Sequence, residues 1–301
     1  MITTEKLTKL YNGKRAVDGL DLQVPKGEVF GFLGPNGAGK STTILMLVGM
    51  IEPTEGTCAI NGIEVARNPL KVKEIVGYLP EDVGFYGTMT AEQNLDYFAR
   101  FYPMTSEERG ARIGELLELV HLDGVGQKAG EYSRGMKQRL GLAQALLNDP
   151  MVLFLDEPTA NLDPEAVAEY RELIHRLARE GKTIFVSSHI LSEVTQVCTT
   201  IGILKKGRLV AKGMLDEVKT ALLSSSPRTV TIYVEATGPV PAIEHADIVS
   251  IELDGTGAVI ESRSDIRDFI SASFLRQGIG IREMRQAETT LEEVFLSVYR
   301  S

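Results

Sequence analysis

Gly34-Pro35-Asn36-Gly37-Ala38-Gly39-Lys40-Ser41-Thr42 fits the pattern G-x-x-x-x-G-K-[ST] without a mismatch. The apolar run Val29-Phe30-Gly31-Phe32-Leu33 precedes it and Thr43-Ile44-Leu45-Met46-Leu47-Val48 follows it. A buried strand, a glycine-rich turn and a helix are therefore expected in that order. Few folds accommodate this unit. Glycines let consecutive backbone N–H groups turn inward, and the helix N-terminus adds partial positive charge, so the turn cradles phosphate. Asn36, Gly37, Gly39, Lys40, Ser41 and Thr42 are the candidate phosphate contacts. Lys40 is expected to reach the β- and γ-phosphates, and the Ser41 hydroxyl to bind Mg²⁺. The bland alternative is a glycine-rich turn that only caps a helix.

A second chemical element lies far along the chain. Met151-Val152-Leu153-Phe154-Leu155 reads as a fully buried parallel strand, and it ends in Asp156-Glu157. Two carboxylates at the C-terminal end of a buried strand are costly unless they act on something, and in a parallel sheet that end faces the ligand crevice. Asp156 suits a Mg²⁺ ligand and Glu157 a group that polarises the attacking water. Thr183-Ile184-Phe185-Val186 is the next buried strand and leads through Ser187-Ser188 to His189, a candidate γ-phosphate contact. His121, His175 and His245 are read as structural.

A third element, Tyr132-Ser133-Arg134-Gly135-Met136-Lys137, sets a Ser, a Gly and basic residues at a predicted helix N-terminus, a second anion site by the same dipole argument. A single chain does not readily bring both anion sites onto one phosphate chain. Tyr11, in a turn before the phosphate loop, is either structural or an adenine-stacking ring.

The remaining pattern organises these elements. Two alternating segments over residues 2–24, around Tyr11-Asn12-Gly13, and residues 57–65, around Asn61-Gly62, read as antiparallel hairpins. Ile75–Leu79 reads as a strand. Residues 85–149 change to helical periodicity, with capping boxes at Thr90-Ala91-Glu92-Gln93 and Thr105-Ser106-Glu107-Glu108. Asp163-Pro164 opens another helix. Ser224-Ser225-Ser226-Pro227 has linker composition. Domain expectations are 1–223 (helical part about 85–149), a linker at 224–228, and a small α+β domain at 229–301, which closes on a helix opened by Thr290-Leu291-Glu292-Glu293.

Composition excludes some partners. There are 32 Lys and Arg against 41 Asp and Glu, a net charge of −9, with no long basic block, so nucleic acid is not an expected partner. No apolar run reaches membrane-spanning length and no signal-peptide order opens the chain, so a cytoplasmic location is expected. Cys58 and Cys198 read as free, mostly buried thiols.

Taken together, residues 1–220 resemble the ATP-binding cassette of ABC transporters. Gly34–Thr42 is similar to the Walker A loop and Val152–Glu157 to the Walker B strand with its catalytic Glu. Ser133–Lys137 resembles the LSGGQ signature, Asn161-Leu162-Asp163 the D-loop, His189 the switch histidine and Tyr11 the adenine-stacking aromatic. The resemblance implies an α/β P-loop NTPase fold with an antiparallel β subdomain and a helical insert. It implies ATP and Mg²⁺ as ligands and an ATPase dimer, here a homodimer, in which Ser133 and Gly135 of one subunit meet the γ-phosphate held by the other. It also implies a separate transmembrane permease and a peripheral position on the inner face of the cell membrane.

Two positions depart from the family pattern. Glu81 stands where the family usually carries a Gln that touches Mg²⁺ and the water and senses the membrane partner, so Glu81 is a candidate nucleotide-site residue with coupling to the permease as its expected role, and Arg134 replaces a signature Gly. The Leu79-Pro80-Glu81-Asp82 and Tyr-Ser-Arg-Gly-Met forms, with the C-terminal Leu291-Glu292-Glu293-Val294-Phe295-Leu296, are similar to single-cassette drug, antibiotic and sodium exporter subunits. The C-terminal domain would then be a dimer-stabilising appendage or a regulatory one. A hydrophobic spot near Phe85 and Tyr86 is the expected permease contact. The alternative function is a soluble cassette ATPase without a transport role.

Overall fold

A computed structural model describes residues 1–160, 162–218, 220 and 230–286. Asn161, the linker at 224–228 and the last helix from Thr290 lie outside the described residues. The chain divides into two compact units, Met1–Leu215 and Asp216–Ser301.

The first unit is built on a six-stranded sheet of order β10-β9-β3-β8-β7-β6. Its strands are β3 (Val29–Leu33), β6 (Val76–Leu79), β7 (Val152–Asp156), β8 (Thr183–Ser188), β9 (Thr200–Lys205) and β10 (Arg208–Gly213). All neighbours pair in parallel except β9 and β10, which form a hairpin through Lys206-Gly207. β3, β7 and β8 are buried along their whole length, because both faces of the sheet are covered.

On one face Phe30, Phe32 and Phe154 gather around Phe185, with ring centroids 5.2–5.5 Å from it. Ile44, Met46 and Leu47 of α1 (Lys40–Leu47) close that layer. Each buried aromatic or aliphatic side chain contributes about 1.5–3 kcal/mol of transfer free energy. On the other face Leu153, Leu155, Ile184 and Val186 meet a layer from α5 (Arg134–Ala145) and α6 (Pro164–Arg179).

An antiparallel sheet of order β2-β1-β4-β5 flanks this core. β1 (Ile2–Tyr11) and β2 (Lys14–Val24) form the expected first hairpin, and Leu20, Leu22 and Val24 point into the core at 1–2% exposure. β4 (Glu55–Ile60) and β5 (Ile63–Glu64) form the second. The helical insert contains α3 (Ala91–Ala99) and α4 (Ser106–Leu119), and each begins with a complete capping box, from Thr90 with Gln93 and from Thr105 with Glu108. A helix that the pattern did not announce, α2 (Pro69–Ile75), has Asn68 at its N-cap and Pro69 in its first turn. α7 (Leu191–Val197) follows β8.

The second unit contains a four-stranded antiparallel sheet of order β12-β13-β11-β14, made of β11 (Val230–Ala236), β12 (Ile248–Asp254), β13 (Gly257–Ser262) and β14 (Ile281–Gln286). Ile270 and Phe274 of α8 (Arg267–Arg276) are fully buried in a cluster with Ile232, Val234 and Ile260. Among the described residues no helix is long and apolar enough to cross a membrane.

Candidate active site

The order β3-β8-β7 sets three C-terminal strand ends side by side. In the register, Leu33 of β3 lies opposite Ser188, and Asp156 of β7 lies opposite Ser187. Strands are about 4.8 Å apart. The phosphate loop after β3, the carboxylates after β7 and His189 after β8 therefore open on one crevice.

The loop is a turn that only glycine can complete. Gly37 and Gly39 have φ of +79° and +107°, and a Cβ on Gly39 would lie 2.3 Å from the Ala16 carbonyl oxygen. Ala38 N–H donates to Pro35 and Thr43 N–H to Gly39. The N–H groups of Gly37, Gly39, Lys40, Ser41 and Thr42 have no protein acceptor among the described residues. That leaves a nest of donors at the N-terminus of α1, the geometry that holds an anion.

Lys40 is buried in its midst. Its Nζ donates to the carbonyls of Gly34 at 2.7 Å and Pro35 at 3.3 Å, and lies 3.1 Å from Glu157 Oε1. That last contact is an ion pair outside hydrogen-bond geometry, so the buried Oε1 accepts no hydrogen bond. Glu157 Oε2 lies 2.9 Å from His189 Nδ1 and accepts from the His189 backbone N–H at 3.3 Å. The Ser187 hydroxyl donates to Asp156 Oδ1 at 2.5 Å and leaves Oδ2 without a protein donor among the described residues. Lys40, Asp156, Glu157 and His189 are thus brought together.

The buried Asp156 charge is felt nearby. Burial first, and this carboxylate second, push the Tyr78 phenol up to about 12. Glu157 itself has φ of +49°, a left-handed backbone rare outside glycine.

Ser133 and Gly135 are set apart. Ser133 caps α5 by accepting from Met136 N–H at 3.2 Å and is exposed. No hydrogen bond or ion pair among the described residues joins it or Gly135 to the Lys40 cluster. A Cβ on Gly135 would meet nothing nearer than 3.9 Å, so the folded subunit does not require glycine there. Arg134 lies 4.0 Å from Asp82, an exposed pair worth about 0–1 kcal/mol. Glu81 is exposed after β6 and has no ion-pair partner among the described residues. Tyr11, 46% exposed, ends β1, with the Lys9 ammonium 5.5 Å from its ring centroid.

Phe85 is half-buried and packs on the core of the helical insert. In this region Tyr86, Tyr97 and Phe101 are exposed aromatics, with ring centroids of Tyr86–Tyr97 at 4.9 Å and Tyr97–Phe101 at 5.8 Å. Tyr97 and Phe101 were missed in the sequence, although their spacing of four residues signals one helix face. Ser187, Thr159 and Glu193 were missed too, being polar residues with no motif of their own.

A phosphate-binding loop at the end of a parallel strand, facing buried carboxylates at the end of the next strand but one, defines a nucleoside-triphosphatase of the P-loop class. Comparison with known proteins narrows the class. Residues 17–160 match the family model described as ABC transporter. The bacitracin transport ATP-binding protein BcrA of Bacillus licheniformis is 37% identical, over 99% of this chain and 97% of its own length. The daunorubicin resistance ATP-binding protein DrrA3 of Streptomyces coeruleorubidus is 33% identical, over 98% and 94%. A dimeric ATP-binding cassette in a post-hydrolysis state, bound to ADP and Pi, superposes with a TM-score of 0.66 at 27% identity, over 71% of this chain and 99% of that one.

The chain belongs to the ABC transporter family. Within it, the chain is an ATP-binding, ATP-hydrolysing subunit of the single-cassette kind, and its C-terminal unit has a counterpart in its full-length relatives.

Proposed function

We propose that two copies of this chain close over two ATP molecules and drive an exporter through a separate permease, from the cytoplasmic side of the cell membrane. The carrying observation is the cluster of buried Lys40 and Glu157 with His189 beside the nest of N–H donors. The names of the full-length relatives, for bacitracin transport and daunorubicin resistance, support an antibiotic or drug-like cargo.

Tyr11 stacks on adenine, and the N–H groups of residues 37 and 39–42 bind the phosphates. Lys40, held by Glu157 in the free subunit, turns to the β- and γ-phosphates when ATP enters. This exchanges one buried ion pair for another and releases the Glu157 carboxylate. Glu157 then polarises a water for attack on the γ-phosphorus, with His189 hydrogen-bonding the γ-phosphate, and ADP and phosphate leave.

The donors also suit Mg²⁺, because the Ser41 hydroxyl and the open Oδ2 of the buried Asp156 are hard oxygen ligands. Ser41 and Asp156 would hold the ion, which would supply positive charge to offset the negative charge of the phosphates. Ser133 and Gly135 of the second copy complete the γ-phosphate site; the exposure of Ser133 and the lack, among the described residues, of any bond from either residue to the Lys40 cluster support this reading.

The permease docks on Tyr86, Tyr97 and Phe101, next to Glu81, which relays its movements to the site. Affinity purification from solubilised membranes should yield a polytopic membrane protein in stoichiometric amount, and the reconstituted pair should hydrolyse ATP faster than the chain alone. A chain that stays soluble without such a protein would overturn this reading. Phe101→Glu should reduce that co-purification at least about tenfold, since a charge replaces a 73% exposed anchor ring in a desolvated contact. The ATPase rate of the isolated chain should stay within about twofold. Unchanged assembly would remove this face as the docking site.

A further inference from the structure

Glu193 lies in the first turn of α7 and has no place in the chemistry above. Its Oε2 accepts a hydrogen bond from Thr159 Oγ1 at 2.5 Å and another from Ser188 Oγ at 3.3 Å. Thr159 is two residues beyond Glu157, and Ser188 immediately precedes His189. One carboxylate oxygen therefore ties together the two segments that carry these site residues.

The tie matters because of the backbone at Glu157. A left-handed non-glycine residue costs roughly 1–2 kcal/mol and persists only where its surroundings over-determine it. On the near side, Glu157 N–H is shared between the Ser187 carbonyl at 3.2 Å and the Ser187 hydroxyl at 3.1 Å. On the far side, Ala160 N–H donates to the Glu157 carbonyl at 3.1 Å. The Thr159–Glu193 bond is the side-chain anchor of that far side.

Pro158, Thr159, Ser188 and Glu193 line a cavity of about 20 Å³ with Val167 and Val194, space for one water. The loop thus packs on an apolar wall between α6 and α7. Hydrogen bonds in such a partly buried place are electrostatically stronger than in water.

We propose that Glu193 is a positioning residue for hydrolysis. It holds the 158–160 loop against the end of β8, so that Glu157 keeps its left-handed backbone and faces Lys40 and His189. The proposal rests on Glu157 being the group that polarises the water.

Steady-state ATPase assays on the full-length chain test it. Glu193→Ala should lower kcat about 10–100-fold, the scale of effect of a small misplacement at a reacting centre. The KM for ATP should stay within about twofold, because Glu193 touches no residue of the phosphate loop. Glu193→Gln retains a carbonyl oxygen able to accept both bonds, and should restore the rate to within about threefold of the parent. Thr159→Val keeps the shape and removes the donor, and should lower kcat at least about fivefold with an unchanged melting temperature. The double variant Glu193→Ala with Thr159→Val should be no slower than Glu193→Ala alone, as expected for two ends of one interaction.

An unchanged kcat in Glu193→Ala and Thr159→Val overturns the proposal, as does a Glu193→Gln as slow as Glu193→Ala. If Glu193→Ala does not fold, the kcat of Thr159→Val decides. Glu157→Gln separates the two layers of argument. If it hydrolyses ATP like the parent, the reading of Glu157 fails. If it is inactive while kcat is untouched in the Glu193 and Thr159 variants, only the positioning role fails.

Discussion

Glu157→Gln is expected to bind ATP, stall hydrolysis and accumulate as an ATP-bound dimer. The amide preserves the volume of the side chain and can still accept from the His189 backbone N–H, which Glu157 Oε2 does at 3.3 Å. It cannot draw a proton from water. General-base catalysis contributes about 10²–10⁴-fold, so single-turnover phosphate release should fall by that factor. Two further consequences point the same way. Lys40 loses its buried counter-charge, 3.1 Å away, and is freed for the phosphates. The γ-phosphate no longer faces a carboxylate across the crevice, which lowers the repulsion that opposes closure. Size-exclusion chromatography with ATP should therefore show a dimer that the parent chain populates only briefly. Unchanged turnover would exclude Glu157 as the base. Stalled turnover without a dimer would leave the base and remove the two-copy site.

Gly135→Asp should abolish turnover while leaving the ATP affinity of the single subunit intact. The nearest atoms to a Cβ at Gly135 are 3.9 Å away, so the substitution fits the folded subunit without strain. A carboxylate in the first turn of α5 is even favourable to the helix dipole, by about 0.3–1 kcal/mol. The cost appears only on dimer closure, when that carboxylate meets the γ-phosphate of the other copy. Two like charges about 4 Å apart near a protein surface repel by about 4 kcal/mol, which corresponds to a factor of about 10³. Nucleotide titration of the monomer and steady-state hydrolysis read the two terms separately. An equal loss of both would mean that Gly135 serves its own nucleotide and not its partner's.

Much of the fold was legible because its signals are local. The capping boxes at Thr90 and Thr105, the Asp163-Pro164 helix start and the Asn61-Gly62 turn each depend on residues within one turn of chain, and each forms in the structure. α2 escaped notice although Asn68-Pro69 marks its start, because a helix of 7 residues with one buried side chain, Val72, has little periodicity to read. The hydrophobic spot expected near Phe85 and Tyr86 divides in a similar way. Phe85 and Tyr86 are equally apolar in sequence, but only packing decides that Phe85 turns toward the core of the insert while Tyr86 joins Tyr97 and Phe101 at the surface.

The phosphate loop, the Asp156-Glu157 pair and His189 were each recognisable where they stand, since a tight turn and a strand end are written in consecutive residues. That Lys40 pairs with Glu157, that Ser187 orients Asp156, and that Glu193 bridges Thr159 to Ser188 were not. These contacts exist because burial of four phenylalanines and their aliphatic neighbours orders the strands β3-β8-β7, against their order in the chain. By itself the sequence determined which chemical groups are present and which local turn or cap each occupies. Only the tertiary structure decided which groups meet, because strand order is set by long-range burial that no single segment encodes.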